Sequence, residues 1–559
     1  MVFLAGVFAF RVAHGLSMPF WSEDERQVYL IGLRSFARDE WPYFGADVVW
    51  TGGQVPGALL GWLIRAPLAL WSEPEAPIVL LNLLSCGALA CLAWYLTRRL
   101  PQVPGWLVWG SLFVLPWTLN FSTHVVNPSF VLPGAIVFFI GFFEALPALR
   151  RGLLPWTAAW ACLGAGLFWV MQIHMSWVLL PPFVAVAAAG LVFGRTELGV
   201  ARGRATRHAA VGFSAGALAT GSLLLPTLVR YGIGAGHVGA AVEWQPQDPL
   251  GLVTTAARVL SFASFEANRF LGQSTAERAL VLWRHPWLVP FALVVAAAGI
   301  VQPVWMAVSA FRPARGAPAD WTPVRVLLGA TVLLIYASYF FSVRGAQGHA
   351  FYVVFPVAAL YACTCWQARA ASAGGRVPRL ERVAAVVIVS AVVLPAGIAI
   401  DRWPRQSLYV DRLLVAAAID APNDRFLGDR RDTRIEPRDP RPRPFDAVAD
   451  PAAYLAARAE DDLRVVASAW TPLAGRFSRF SLAVRHRGRD AAWLDLRFAT
   501  SYLAADGRPL AAREGVIKQI LQPGQTRDWT DIADGQVPDG AAAATITVTG
   551  AERVIPHSR

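Results

Sequence analysis

Three adjacent carboxylates, Glu23, Asp24 and Glu25, follow an apolar run that begins at Met1. A carboxylate can accept a proton from an attacking hydroxyl, and it can also ligate a divalent cation. Acidic residues just outside a membrane span can equally be solvated charge at the level of the lipid headgroups. The choice between these interpretations depends on the elements that place the carboxylates.

The composition is that of a membrane protein. Of the 559 residues, 55% are hydrophobic and 16% are charged, and the mean hydropathy is +0.43. These values are too apolar for a soluble multidomain protein. The net charge of +12 comes mainly from arginines between apolar runs, so it indicates membrane topology and no nucleic-acid partner is expected. The five cysteines all lie in apolar runs and are expected to pack as small hydrophobic residues.

Apolar windows of roughly 20 residues, the length that a spanning helix needs, recur from the start of the chain to residue 400. They predict a polytopic α-helical membrane protein with about eleven transmembrane helices. The windows lie near residues 1–20, 76–97, 104–121, 129–148, 154–174, 176–194, 209–229, 287–309, 324–342, 350–366 and 383–400.

Arginines occupy every second gap between these windows, and the positive-inside rule assigns those gaps to the cytoplasm. The remaining gaps then face outward, as does everything after residue 400, so Asp24 and Glu25 are expected to be extracytoplasmic. The inner gaps hold Arg98 and Arg99, Arg150 and Arg151, and the stretches 195–207, 312–325 and 369–382; the outer gaps are 21–75, 122–128, the region around 175, 230–286 and 343–349.

Arg11 lies in the middle of the first window, with ten residues before it. Because a guanidinium is costly within the bilayer, Arg11 either snorkels to the interface or belongs to a longer first helix that begins before Met1. The longer helix is the preferred interpretation.

The outer gaps are expected to contain helices that lie at the membrane surface. Residues 24–36 mix apolar residues with arginines, as in an interfacial helix. Residues 54–71 are apolar but short, and they carry Arg65 between two prolines, which favours a re-entrant or surface helix. The segment 230–286 has a similar pattern. Such juxtamembrane helices can cover a cavity at the edge of the membrane.

This order of features resembles the membrane glycosyltransferases of the GT-C fold, which include protein O-mannosyltransferases and the aminoarabinose transferase of lipid A. The resemblance covers residues 1 to 400. It is carried by the outward Asp-Glu pair, the two juxtamembrane helices, the arginine-rich inner loops and the late stretch "VRGAQGHAFYVVFPVAALY". The stretches "HVVNPSFVLP" (124–133) and "MQIHMSW" (171–177) are most similar to the bacterial RgtA/B/C/D-like subgroup.

The resemblance implies transfer of a hexose or pentose from a polyprenyl-phosphate carrier to an extracytoplasmic glycan, lipid or protein, at the bacterial cytoplasmic (inner) membrane. Asp24 is then the candidate base that deprotonates the acceptor hydroxyl. Glu25 would orient Asp24 or the acceptor, or help to bind a divalent cation. Arg344 and His349 would stabilise the charge that develops on the leaving phosphate. By the same resemblance, the anomeric centre is expected to invert.

His124, Asn127, Gln172 and His174 are candidate residues of the substrate cavity. Each has a structural alternative: Asn127 can cap a helix, and Gln172 and His174 can join helices within the bundle. Arg344 can equally contact a phospholipid headgroup.

A metal site is also possible, because three histidines share the predicted outer level of Asp24. These are His124, His174 and His349, which with the carboxylate could form an imidazole–carboxylate site. No local spacing such as His-x-x-x-His supports it. The stretch "FSTHVVNPSF" also lacks the second acidic residue that other GT-C branches carry there, which argues against a second catalytic carboxylate and an accompanying metal.

The composition changes after Ile400. Residues 401–463 are rich in Arg, Asp and Pro and predict a solvated connector, with a short helix near "YLAARAEDDL". From residue 464 to 559 the hydrophobic period is two, with Phe480, Leu482 and Val484 in one run, which predicts an extracytoplasmic all-β sandwich. Its expected role is to bind the acceptor or a partner, or only to cap the membrane domain.

Two other classes of function are compatible with a basic polytopic chain. A transporter or polymerase of lipid-linked glycans would need polar residues along a path through the spans, and few are present there. A non-catalytic envelope assembly protein would keep the fold without a working site.

Overall fold

The structure is a computed structural model that describes most of the chain and divides it into two compact units, Met1–Ile419 and Asp420–Arg559. The described residues are 2–17, 23–39, 41–48, 53–193, 202–234, 236, 242–261, 271, 275–311, 320–342, 348–375, 377–402, 451–472, 477–535 and 537–554.

The first unit is helical, with one short hairpin. Its helices are α1 (Val2–Ser17), α2 (Glu23–Arg38), α3 (Leu59–Leu70), α4 (Ala76–Arg99), α5 (Gly105–Val114), α6 (Pro116–Ser122), α7 (Val131–Ala145), α8 (Trp156–Met171), α9 (Pro181–Phe193), α10 (Arg202–Gly221), α11 (Leu225–Tyr231), α12 (Leu250–Leu260), α13 (Thr275–Arg284), α14 (Val289–Phe311), α15 (Trp321–Ser338), α16 (Phe355–Ser372) and α17 (Pro378–Arg402). Strands β1 (Phe44–Val48) and β2 (Gly53–Pro56) form the hairpin.

Short 3₁₀ turns begin or end several of these helices. They span Asn127–Phe130, Met175–Leu179, Ser222–Leu224, Pro286–Leu288, Tyr339–Phe341 and Gly348–Val354.

Eight helical segments of the described chain are long and apolar enough to cross a membrane, which confirms the polytopic fold class. They are Ala76–Arg99, Asn127–Ala145, Met175–Phe193, Gly203–Tyr231, Pro286–Phe311, Trp321–Phe341, Phe351–Ser372 and Pro378–Ile400. The other three predicted windows contain the shorter helices α1, α5 with α6, and α8.

Pro116 explains why one predicted window is divided. A proline disfavours the helical conformation of the residue before it, and Leu115 is extended, with φ −61° and ψ 143°. The predicted span 104–121 is therefore two helices, α5 and α6, that meet at Leu115.

Arg11 is fully buried at this break. Its guanidinium donates to the backbone carbonyl oxygens of Phe113 (2.7 Å), Thr118 (3.2 Å) and Ser122 (3.4 Å), and to the Ser122 hydroxyl. These bonds use carbonyl groups of α5 and α6 and provide acceptors for both terminal nitrogens of the guanidinium. The expectation that Arg11 snorkels is wrong, because its partners lie within the bundle; a longer first helix stays a prediction.

A buried charge network joins three of the arginine-rich gaps. Arg99 donates to Asp320 at 2.9 Å, and Arg151 lies 3.1 Å from the other oxygen of that carboxylate. Glu144 lies 3.8 Å from Arg99 and accepts a hydrogen bond from Tyr95 at 2.9 Å. Two cations and two anions thus neutralise each other; Arg99, Glu144 and Asp320 are buried, and Arg151 reaches the group from the surface. The gaps that hold Arg99, Arg151 and Asp320 lie at the same end of the bundle, as the predicted topology requires.

Glycines allow α8 to pack closely between α7 and α10. A Cβ atom added at Gly216 of α10 would lie under 3.0 Å from the carbonyl of Ala161, and one at Gly166 of α8 would lie 2.5 Å from the carbonyl of Gly134. Small residues at such positions are the usual means by which helices approach in a membrane.

The second unit contains two three-stranded antiparallel sheets, which confirms the β-sandwich prediction. Buried Phe480, Leu482 and Val484 of one sheet meet Leu496 and Phe498 of the other in a common core. The elements are α18 (Pro451–Ala456), α19 (Ala459–Asp462), β3 (Leu463–Pro472), β4 (Phe477–His486), β5 (Ala492–Leu503), β6 (Pro509–Leu521), β7 (Thr526–Gly535) and β8 (Ala543–Val554), with strand orders β3-β4-β7 and β6-β5-β8.

The predicted connector, residues 401–463, lies mostly outside the described residues. Helices α18 and α19 occupy its end, where the sequence indicates a short helix. The predicted domain boundaries at residues 400 and 463 stay predictions.

Candidate functional site

The segments that carry the predicted site residues adjoin one another at one end of the bundle. Helix α2 contacts the 3₁₀ turn Asn127–Phe130, that turn contacts Gly348–Val354, and Gly348–Val354 contacts Met175–Leu179. Helix α2 carries Asp24 and Glu25. The turns Asn127–Phe130 and Gly348–Val354 carry Asn127 and His349, and His174 immediately precedes the turn Met175–Leu179. Segments far apart in the sequence thus form one cluster.

Helix α2 has an acidic first turn, which suits the positive end of the helix dipole. Its buried residues Val28 and Leu33 pack toward the bundle. Glu25 is only 7% exposed, so it is not solvated charge at the headgroup level. Asp24 shares this first turn, but its side chain lies outside the described part of the structure, and its role as the base stays a prediction.

Tyr29 lies one turn after Glu25 and is missing from the sequence-based list of site residues. Its hydroxyl donates to the carbonyl oxygen of Pro74 at 2.6 Å, immediately before α4. Burial raises the pKa of Tyr29 well above its usual value, and the nearby Glu25 and Glu75 carboxylates raise it further. Tyr29 therefore remains a protonated donor. Glu75, which precedes α4, is a second carboxylate close to the same hydroxyl.

His124 is buried against a second histidine. The rings of His14 and His124 stack with their centroids 5.7 Å apart and an angle of 18° between their planes. His14 Nδ1 lies 3.2 Å from the Thr123 hydroxyl. No sequence signal marks His14, because it lies within the apolar first window.

Gln172 makes the contact between helices that its structural alternative predicts, whereas the bonds described for His174 are local to its own turn. Gln172 Nε2 donates to the carbonyl of Thr220 at 2.9 Å, which links α8 to α10. His174 precedes the turn Met175–Leu179, and its Nδ1 accepts from the backbone amide of Ser176 at 3.1 Å. Their assignment to the substrate cavity stays a prediction.

Asn127 is the first residue of its 3₁₀ turn and is half-buried. The capping position belongs to Val126, and no side-chain capping bond is present there. The capping alternative for Asn127 is therefore wrong.

Arg344 lies outside the described residues. His349 belongs to the turn Gly348–Val354, but its side chain is also outside the described part. A further cation, half-buried Arg258 of α12, approaches this turn, with Cζ 5.9 Å from the ring centroid of Phe351. The amphipathic pattern of segment 230–286 indicated the helix that carries Arg258, but it did not indicate that this helix approaches Phe351. Arg258 is thus a cation near the predicted phosphate site that sequence reasoning missed.

Among the side chains that the structure describes, no group of three His, Cys, Asp or Glu residues could hold a metal ion. His124 instead stacks on His14, and His174 bonds Ser176. Since the side chains of Asp24 and His349 lie outside the described part, a divalent cation at the site stays a prediction.

No protein-family model matches the sequence, and no curated protein matches it at a significant level. Two solved structures of ArnT from Cupriavidus metallidurans are similar to the chain. The one bound to undecaprenyl phosphate is 12% identical with a TM-score of 0.45, and the match covers 75% of this chain and 78% of that one. The apo structure is 14% identical with a TM-score of 0.35, over 65% and 76% of the two chains.

Proposed function

We propose that this protein is a membrane glycosyltransferase that moves a sugar from a polyprenyl-phosphate donor to an extracytoplasmic acceptor. The observation that carries the proposal is the buried carboxylate of Glu25 in the first turn of α2. Helix α2 contacts the turn Asn127–Phe130, and that turn contacts Gly348–Val354. A carboxylate buried where segments distant in sequence meet is a candidate functional group.

In the proposed reaction the acceptor hydroxyl attacks the anomeric carbon of the donor sugar. Asp24 takes the hydroxyl proton as the new bond between oxygen and carbon forms. The bond from the anomeric carbon to the phosphate oxygen breaks, and its electron pair leaves with the lipid phosphate. A single displacement inverts the anomeric centre. Buried Glu25 holds the second negative charge beside the base and orients Asp24 or the acceptor.

Cations near the Gly348–Val354 turn would stabilise the leaving phosphate. Negative charge grows on the phosphate oxygens as the bond breaks, so a fixed guanidinium or imidazolium favours the transition state over the ground state. Arg344 and His349 are the residues that we assign to this task, and the position of Arg258 over Phe351 adds it to them.

The proposed orientation has the site and the C-terminal sandwich outside the cytoplasm, at the bacterial cytoplasmic membrane. The arginine-rich network of Arg99, Arg151 and Asp320 supports it, because such residues favour the cytoplasmic side. We assign the sandwich to contact with the acceptor, which is a glycan, lipid or protein of the envelope.

A transport path for a lipid-linked glycan is a weaker proposal. The segment Asn127–Ala145 is 89% buried, and from Val131 to Phe143 its side chains are all apolar. A polar path through the bundle would pass such a central helix, and α7 offers no polar group for it until Glu144 at its far end.

The proposal is tested with the full chain in nanodiscs and a panel of hexosyl and pentosyl polyprenyl phosphates. Asp24→Asn is expected to lower transfer or donor hydrolysis by about 10²–10⁴-fold, the range of general-base catalysis. Release of the lipid phosphate is measured for both proteins. Asp39→Asn is the matched control, because exposed Asp39 follows the last residue of the same helix; it should retain activity.

Equal turnover by wild type and Asp24→Asn would remove Asp24 from the mechanism. If the wild type turns over none of the donors while it remains folded and binds them, the assembly-protein alternative is favoured.

A further inference from the structure

We propose that Tyr29 is a positioning residue that fixes the acidic first turn of α2 against the start of α4. The inference rests on the proposed function, because Tyr29 would act through Asp24 and Glu25. It adds a residue outside the motifs that the sequence resemblance supplied.

The second half of α2 is already held by α3. A Cβ atom at Gly32 would lie under 3.0 Å from the side chain of Ile64, so the two helices touch closely at that point. Further along, Arg65 donates to the Ser35 hydroxyl at 3.2 Å. These contacts fix the end of α2 that is distant from the carboxylates.

Tyr29 fixes the first half of α2 through a hydrogen bond. It is 4% exposed, and its hydroxyl reaches Pro74, which is 45 residues away in sequence, at 2.6 Å. Residues four apart lie on the same face of a helix, so Glu25 and Tyr29 both face the start of α4. Glu75 lies next to Pro74 and close enough to influence Tyr29 electrostatically. The bond therefore sets the rotation and depth of the turn that carries Asp24.

Catalysis is sensitive to such placement. A shift of the base by 1 Å can lower the rate by about 10²-fold while the fold remains intact. A positioning residue of this kind should affect kcat more than the donor KM, because the donor phosphate is bound by other elements.

The test compares Tyr29→Phe with the wild type in nanodiscs, using whichever donor the wild type turns over. The expected result is a fall in kcat of about 10- to 100-fold with donor KM unchanged. Hydrogen exchange of the backbone amides of residues 24–31 should become faster. Tyr361→Phe is the matched control, since Tyr361 is also buried and donates to a backbone carbonyl, that of Met306, at 2.9 Å; it should change neither kcat nor exchange in α2.

Unchanged kcat in Tyr29→Phe would overturn the proposal, whatever the exchange rates. A lower kcat with unchanged exchange would also overturn it, because the hydroxyl would then act directly in the reaction. If the wild type is inactive with all donors, the proposed function fails. Hydrogen exchange of residues 24–31 then decides alone whether the Tyr29 hydroxyl fixes α2, and unchanged exchange in Tyr29→Phe would overturn that role.

Discussion

Glu144→Gln is expected to lower the free energy of unfolding of the membrane domain by about 1–3 kcal/mol. Glu144 and Asp320 balance Arg99 and Arg151 in a network where the side chains of Glu144 and Arg99 are fully buried. Without the Glu144 charge, buried Arg99 keeps Asp320 at 2.9 Å but loses the second carboxylate near it, and Asp320 must then balance both arginines. Reversible unfolding in mixed detergent micelles measures the change.

A double-mutant cycle with Arg99 provides the control. Replacing Glu144 and Arg99 together by methionine removes one anion and one cation, so the remaining Arg151–Asp320 pair stays neutral. The double variant should therefore be more stable than either single variant. Additive losses would contradict the description of these residues as one charge network.

Gly216→Ala is expected to destabilise the bundle by about 3 kcal/mol, the upper end of the usual cost of overpacking. The added methyl group would lie under 3.0 Å from the carbonyl oxygen of Ala161. That oxygen belongs to the backbone of α8 and cannot move aside as a flexible side chain can. The two helices would have to separate, and the loss of contact would extend along their interface. Thermal unfolding in detergent, followed by circular dichroism, measures the effect.

Gly203→Ala is the matched control, because Gly203 lies on the same helix and a Cβ atom there meets nothing within 4 Å. Alanine has the higher helix propensity, by about 1 kcal/mol in soluble hosts, so this variant should be neutral or slightly stabilising. Equal losses in Gly203→Ala and Gly216→Ala would show that close packing of α8 on α10 is not the cause.

Hydropathy, charge and alternation predicted the parts of the fold that depend on local sequence. The helix that begins at Glu23 follows from its mixed pattern, and the sandwich core around Phe480 and Leu482 follows from a period of two. The division of the window at 104–121 was also present in the sequence, because Pro116 restricts Leu115. A window average does not register a single proline, and this explains why one span was predicted where two helices lie.

The rest of the candidate site depends on contacts between distant residues. Tyr29 reaches Pro74, His14 stacks on His124, and Arg258 approaches Phe351. A membrane helix that is apolar on every side has no period to show which face meets a neighbour. The motifs could therefore name His124 and Gln172 as candidates, but could not show that one stacks on a histidine and the other links α8 to α10.

The buried Arg11 has a consequence for how the chain is made. The first of the backbone carbonyls that it bonds, that of Phe113, is 102 residues further along, which at 5–20 residues per second is synthesised about 5–20 s later. During that interval the first helix must stay in the membrane with a charge that its own bundle cannot yet satisfy. The side chain that joins α1 to the ends of α5 and α6 in the finished protein is thus an obstacle at insertion, and water, the insertion machinery or another membrane protein must bind it first.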